Sequence, residues 1–203
     1  MQIVSFIFAF LILCGSIEAQ EVRNLFNGVS LDGWEVVDFP YHGDVTISDS
    51  CIIVSKGGLI SGIKWVKDFP KINYEVTLDA NRVEGYDFFC GMTFPVNESF
   101  LTLVLGGWGG SVIGLSNIDG EDANNNDTFG IINFELNQWY SIRLKVTEQK
   151  VEAWINGYQI VDFPIENHEL SLRSEMKTST PFGIDTYRTT AAFKNIRYSI
   201  IAE

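Results

Sequence analysis

The side chains best able to do acid–base chemistry fall in two places. Asp87 stands just before Phe88-Phe89-Cys90, where it could project into a groove as a general base. Asp185, Tyr187 and Arg188 form a polar cluster at the end of a strand-like run: a carboxylate, a phenol able to donate a hydrogen bond, and a fixed cation. The competing reading of this cluster is a solvated strand end with a surface ion pair. Between the two lies Gly106-Gly107-Trp108-Gly109-Gly110. Gly107 and Gly109 let backbone come close to a ligand, and Trp108 could lie flat against the apolar face of a sugar-like ring. The alternative is a wide turn whose indole folds back onto the core. Trp154, on the same strand face as Glu152, is a second candidate platform.

An oxygen-rich stretch, Asp119-Gly120-Glu121-Asp122 followed by Asn124-Asn125-Asn126-Asp127, offers Asp119, Glu121 and Asp122 as ligands for a divalent metal such as calcium. The spacing does not fit an EF-hand, and a flexible acidic loop explains the same residues. No cofactor follows with certainty from the chain. His42 and His168 are the only histidines, far apart in sequence, which argues against a zinc site. No Ser-His-Asp signature, phosphate loop or dinucleotide fingerprint is present. Cys51 and Cys90 each sit in apolar strand-like runs and are read either as a disulfide or as two separate buried thiols.

These residues need a scaffold, and the punctuation of the chain describes one. Asn73–Asp79 and Ser141–Thr147 alternate apolar and polar residues strictly, the period of a half-buried strand. Val151–Ile155 and Tyr158–Phe163 flank Asn156-Gly157, a two-residue hairpin signal. Further strands are expected at Val45–Ser48, Ile52–Ser55, Phe88–Phe94, Phe100–Leu105, Ser111–Ser116, Thr128–Phe134, Phe182–Thr186 and Ala192–Ile200, with a short helix or coil near Glu166–Met176. Many short strands separated by Gly, Asn and Pro imply an all-β fold, a two-sheet antiparallel sandwich or jelly roll.

Residues 3–13 form an apolar run too short to span a bilayer, followed by Ile17-Glu18-Ala19. Residues 1–19 therefore read as a secretory signal peptide, although no Lys or Arg precedes the run, and residues 20–203 as a single exported domain, periplasmic or extracellular. Lipidation at Cys14 fits poorly, because the bulky Leu13 precedes it. No second apolar run is long enough to span a membrane. A formal net charge of −12 repels nucleic acid and anionic lipid and tolerates neutral partners such as carbohydrate. Asn97-Glu98-Ser99 and Asn126-Asp127-Thr128 match the N-glycosylation pattern, which matters only in a eukaryotic host.

The opening Leu25-Phe26-Asn27-Gly28-Val29-Ser30-Leu31-Asp32-Gly33-Trp34 pairs two turn-forming dipeptides with apolar anchors at Phe26, Leu31 and Trp34. Together with Gln138-Trp139-Tyr140, the run Val151–Phe163, Pro181-Phe182-Gly183-Ile184 and the closing strand Phe193–Ile200, it resembles the 3-keto-disaccharide hydrolase domain family along nearly the whole chain after the leader. The resemblance implies a concanavalin A-like sandwich. It also implies a hydrolase or lyase acting on glycosides oxidised at C3, in which a base removes the C2 proton and the C1 substituent leaves. In that reading Asp87 is the base, Tyr187 donates to the enolate and Arg188 holds its charge, and a metal could polarise the ketone. The chain departs from the family pattern twice: Ser99–Leu105 carries no carboxylate, and Tyr187 stands where many members have histidine. A non-catalytic carbohydrate-binding module and a structural or adhesion domain are the rival readings.

Overall fold

Alternation decides which way each strand faces, and the faces decide where a ligand can sit. In chain order the strands are β1 (Val22–Asn24), β2 (Trp34–Val36), β3 (Val45–Ser48), β4 (Cys51–Val54), β5 (Ile60–Trp65), β6 (Tyr74–Gly85), β7 (Cys90–Val96), β8 (Ser99–Gly106), β9 (Val112–Ser116), β10 (Gly130–Ile131), β11 (Trp139–Val146), β12 (Lys150–Ile155), β13 (Tyr158–Pro164), β14 (Phe182–Tyr187) and β15 (Thr189–Ile200). This is a computed structural model, and it describes residues 21–201. The leader expected at residues 1–19, Cys14 included, lies outside the described residues.

The strands form two antiparallel sheets packed as a sandwich. The first runs β13-β12-β11-β6-β15-β4-β3, with β1 also paired to β15; the second runs β10-β9-β8-β7-β14-β5-β2. On β6, Tyr74, Val76, Leu78 and Ala80 face the core, and on β11 Tyr140, Ile142, Leu144 and Val146 do so. Opposite them lie Met92 and Phe94 of β7, Leu101, Leu103 and Leu105 of β8, and Phe182 and Ile184 of β14. The Asn156-Gly157 hairpin joins β12 to β13 in the expected register, Ile155 facing Tyr158. The region expected as a strand over Thr128–Phe134 pairs only at Gly130–Ile131, and β5, which no sequence expectation covered, fills a place between β14 and β2.

The opening motif works as a buckle on the second sheet. Asn27 Oδ1 accepts from the amides of Val29 and Ser30, and Trp34 Nε1 donates to the Leu25 carbonyl at 2.7 Å. Gly33 holds a φ of 84°, and a Cβ there would meet the Trp65 ring at 2.5 Å. The Trp34 and Trp65 rings meet edge to face at 5.5 Å, and Phe182 stacks on Phe69 at 4.6 Å, so one aromatic cluster closes this end of the core.

Cys51 and Cys90 are free thiols, not a disulfide. Cys90 belongs to the inter-sheet core, whereas Cys51 alternates with the core residues Ile52 and Val54 and so faces away from it. The two stand on different sheets. Packed sheets lie about 10 Å apart, beyond the reach of one S–S bridge. Burial pushes both thiols up from the ordinary cysteine range.

The fully buried Phe182 ties β14 to Trp34 and Phe69. Phe182→Ala is expected to lower unfolding free energy by about 3–5 kcal/mol, measured by urea denaturation; an unchanged midpoint would contradict this packing.

Candidate functional site

The central strands of the second sheet are buried on both faces. β7 is buried along its whole length, and β8 and β14 nearly so. One face is the core. The other carries Thr93 of β7, Thr102 and Val104 of β8, Ser116 of β9, Ile60 and Gly62 of β5, and Gly183, Asp185 and Tyr187 of β14, as the registers require. What covers this outer face is a 3-10 turn, Ser174–Ser179, preceded by a segment bridged to the acidic loop through Ile118 and Leu170. The turn buries Met176 and Ser179.

Between this strap and the Trp108 loop lies a cavity of about 280 Å³. Its walls are Ile60, Asp87, Phe88, Thr102, Val104, Trp108, Ser116, Arg173, Glu175, Met176 and Tyr187. Phe88 and Tyr187 stack at 5.8 Å, and Trp108 completes a set of three rings. Arg173 Nε bonds Glu175 Oε1 at 2.7 Å, and its Nη1 bonds Asp122 Oδ2 at 2.7 Å. Glu175 is partly desolvated, yet its bond to Arg173 and further hydrogen bonds hold it below the usual carboxylate range. On the sheet floor, the hydroxyls of Thr93 on β7 and Thr102 on β8 bond each other at 3.0 Å, and β8 carries no carboxylate.

The polar cluster read from sequence is divided by the fold. Tyr187 is on the cavity wall. Arg188 turns outward with a φ of 47°; its Nη1 donates to the Tyr86 hydroxyl and its guanidinium lies 5.5 Å from the Tyr187 ring. Asp185 is fully buried beneath the strap, where its Oδ1 accepts from Ser179 Oγ at 3.0 Å and its Oδ2 finds no partner. Desolvation pushes its carboxyl up to about 8, against the smaller opposing effect of the Ser179 bond. Gly62 makes room for it, since a Cβ there would fall 1.9 Å from Asp185 Oδ1.

Trp108 does not fold back onto the core; it is 43% exposed at the cavity rim. Its loop backbone is pinned beside the indole. Asp87 Oδ2 accepts from the Gly109 amide at 3.0 Å, and Asp87 Oδ1 accepts from the Phe88 amide at 2.8 Å. Gly107 is buried, with Val104 2.8 Å from where a Cβ would stand. Trp154 is not a second platform for this cavity. It lies on the outer face of the first sheet, across the sandwich, with the Arg143 guanidinium 3.5 Å over its ring.

Asp119, Glu121 and Asp122 do not converge as a metal set. Asp119 accepts from the Glu169 amide and pairs with His168 at 2.7 Å, Asp122 is taken by Arg173, and Glu121 is exposed. Among the described residues no group of three His, Cys, Asp or Glu side chains gathers as metal ligands. The acidic loop instead ties itself to the segment leading into the strap. Asn126 fastens the other end of the loop to β9: its amide donates to Leu115 O and its Oδ1 accepts from Thr128.

Arg173, Glu175 and Met176 were not legible as site residues. They lie in the stretch read as short helix or coil. The available signal was a close-set Arg–Glu pair shortly ahead of the Pro181-Phe182-Gly183 strand entry.

Residues 21–199 match the model of the 3-keto-alpha-glucoside-1,2-lyase-like domain. No curated protein sequence matches the chain. Among solved structures, a candidate glycosyl hydrolase from Parabacteroides distasonis is 16% identical, with 89% of this chain and 94% of that one covered at a TM-score of 0.58. A carbohydrate-binding module, CBM66, from Bacillus subtilis is 11% identical, with 82% and 95% covered at 0.52. Domain 4 of an extracellular arabinanase from Geobacillus stearothermophilus, solved with arabinotriose, is 13% identical, with 89% and 91% covered at 0.56. At these identities the likeness is one of fold.

Asp185 makes stability pH-dependent with a definite sign. Between its ordinary value near 3.8 and about 8, the native state keeps a proton that the unfolded chain has lost. Stability from this group is therefore complete below the lower value and lost as pH rises towards the upper, at up to about 1.4 kcal/mol per pH unit. Asp185→Asn keeps an acceptor for Ser179 and does not titrate. Its stability relative to the parent should climb from pH 4 to pH 8 in urea titrations; parallel curves would show that the burial does not hold the proton.

Proposed function

The chain belongs to the 3-keto-alpha-glucoside-1,2-lyase-like domain family, and from that premise we propose that it is a carbohydrate-active domain cleaving 3-keto-glycosides in the cavity over its second sheet. The observation that carries this reading is the pairing, in one cavity, of three aromatic rings with a carboxylate–guanidinium pair. Rings suit the apolar faces of a sugar, and the charged pair suits proton transfer next to a ketone.

In this reading Glu175, held in place by Arg173, is the base. It takes the C2 proton, and the C–H electrons pass into the enolate of the C3 ketone. Tyr187 and the free N–H groups of Arg173 face the growing oxyanion, since the two ion pairs occupy only Nε and Nη1. Collapse of the enolate restores the ketone and expels the C1 oxygen, which takes up a proton. Water then adds across the new C1–C2 double bond. Arg188 has no part in this step, being turned to Tyr86. Ordinary glycosidases need two carboxylates flanking the glycosidic bond, and this route does not.

Non-catalytic carbohydrate binding is the second reading. It is favoured by the floor of the cavity, where Thr93 and Thr102 satisfy each other and no carboxylate is presented. The solved relatives include both a binding module and a glycosyl hydrolase candidate. For either reading we propose an exported protein, the apolar residues 3–13 serving as the core of a leader.

Incubating the purified protein with 3-keto-glucosides and their unoxidised parents, and following aglycone release, separates the readings. Release from the keto forms alone is expected, with Glu175→Gln slowing it at least about 100-fold. Sugar binding by calorimetry without release from any compound would establish recognition without turnover.

A further inference from the structure

We infer that Asp87 is a positioning residue: its carboxylate locks the Trp108 indole in place as a rigid stacking platform for a sugar ring, and it is not the base. The inference rests on the carbohydrate reading of the cavity and assigns a determinant of sugar affinity within it.

The Trp108 loop is costly to order. Gly106, Trp108, Gly109 and Gly110 have φ values of 80°, 49°, 93° and 109°. The left-handed region is unfavourable for a residue with a Cβ such as Trp108, and glycines lose the most chain entropy when fixed. Without restraint the loop would sample many conformations. Two side chains from neighbouring segments restrain it. Arg82, buried on β6, donates from Nη1 to the Gly110 carbonyl at 3.3 Å and from Nη2 to the Phe134 carbonyl. Asp87 accepts the Gly109 amide at 3.0 Å. The Arg82 end is packed, since a Cβ on Gly110 would meet Tyr86 O at 2.7 Å. The Gly109 end is open, with nothing within 4 Å of where its Cβ would stand. The exposed half of the loop, next to Trp108, therefore hangs on one carboxylate.

That carboxylate is itself fixed. Its second oxygen takes the Phe88 amide, and the Asp87 backbone amide donates to Thr189 Oγ1 at 3.2 Å. Phe88 and Tyr187, the other two rings of the wall, stand on the same short connection and on the strand beside it. Asp87 thus sets Trp108 relative to the rings it must work with. Protonation of Asp87 by a substrate would weaken its hold on the Gly109 amide and loosen the platform in each turnover. A platform ordered before the ligand arrives binds more tightly, because the ordering cost is met in the folding of the protein.

The test labels the protein with 5-fluorotryptophan. Its five Trp residues give separate fluorine signals, and Trp108→Phe identifies the one of interest. In Asp87→Asn without sugar, the Trp108 signal is expected to shift or broaden while the other four stay in place. Gly109→Ala, which strains the positive φ but leaves the carboxylate untouched, is expected to move the same signal. With a 3-keto-glucoside as probe, Asp87→Asn should raise KM or Kd about tenfold and change kcat little. An unmoved Trp108 signal in Asp87→Asn would overturn the proposal, as would kcat falling 100-fold or more at unchanged KM. Wild-type protein that binds no sugar would remove the carbohydrate reading, and the fluorine signals would still decide separately whether Asp87 holds the loop.

Discussion

The cavity exists because the Ser174–Ser179 turn is seated on β14. At the centre of that seat is the hydrogen bond from Ser179 Oγ to Asp185 Oδ1, inside a pocket of the sheet lined by glycine. Gly62 on β5 leaves space for the carboxyl, and Gly183 on β14 leaves space for Ser179 itself, whose carbonyl would be 2.5 Å from a Cβ there. A side chain at either position would lift the turn. With it would go Met176 and Glu175 from the cavity wall, and the link through Arg173 to Asp122 on the acidic loop. A buried aspartate with an unpartnered oxygen is costly, and the fold tolerates it at the point where the strap meets the sheet.

Much of the scaffold could be read from the chain. Strict alternation in Tyr74–Ala80 and Ile142–Val146, and the Asn156-Gly157 turn, fix strands and faces through local rules that a sequence carries directly. β5 escaped because Gly62 interrupts its apolar pattern, and that glycine answers to Asp185, far away in sequence. The strand expected over Thr128–Phe134 shrank to Gly130–Ile131 because Thr128 is drawn into the network around Asn126.

The candidate site was legible only in part. Asp87, Trp108 and Tyr187 were found by residue type, and all three line the cavity. Asp185, expected in a polar cluster at the end of its strand, lies buried because the Ser174–Ser179 turn, a segment without periodicity, covers it. Arg188 looked like an oxyanion partner, yet its left-handed turn sends it to Tyr86. Roles fail where they depend on which loop covers which strand, a long-range matter that residue spacing does not encode. The same holds for Trp154, whose place on an outer sheet face said nothing of Arg143 lying on it.

The two buried thiols leave the sandwich without a covalent tie between them. Cys51 and Cys90 each occupy their own buried niche, on different sheets and opposite sides of one of them. Among the described residues no disulfide joins one part of the sandwich to another, so the packing of the two sheets rests on side-chain burial and ladder hydrogen bonds rather than on an oxidant.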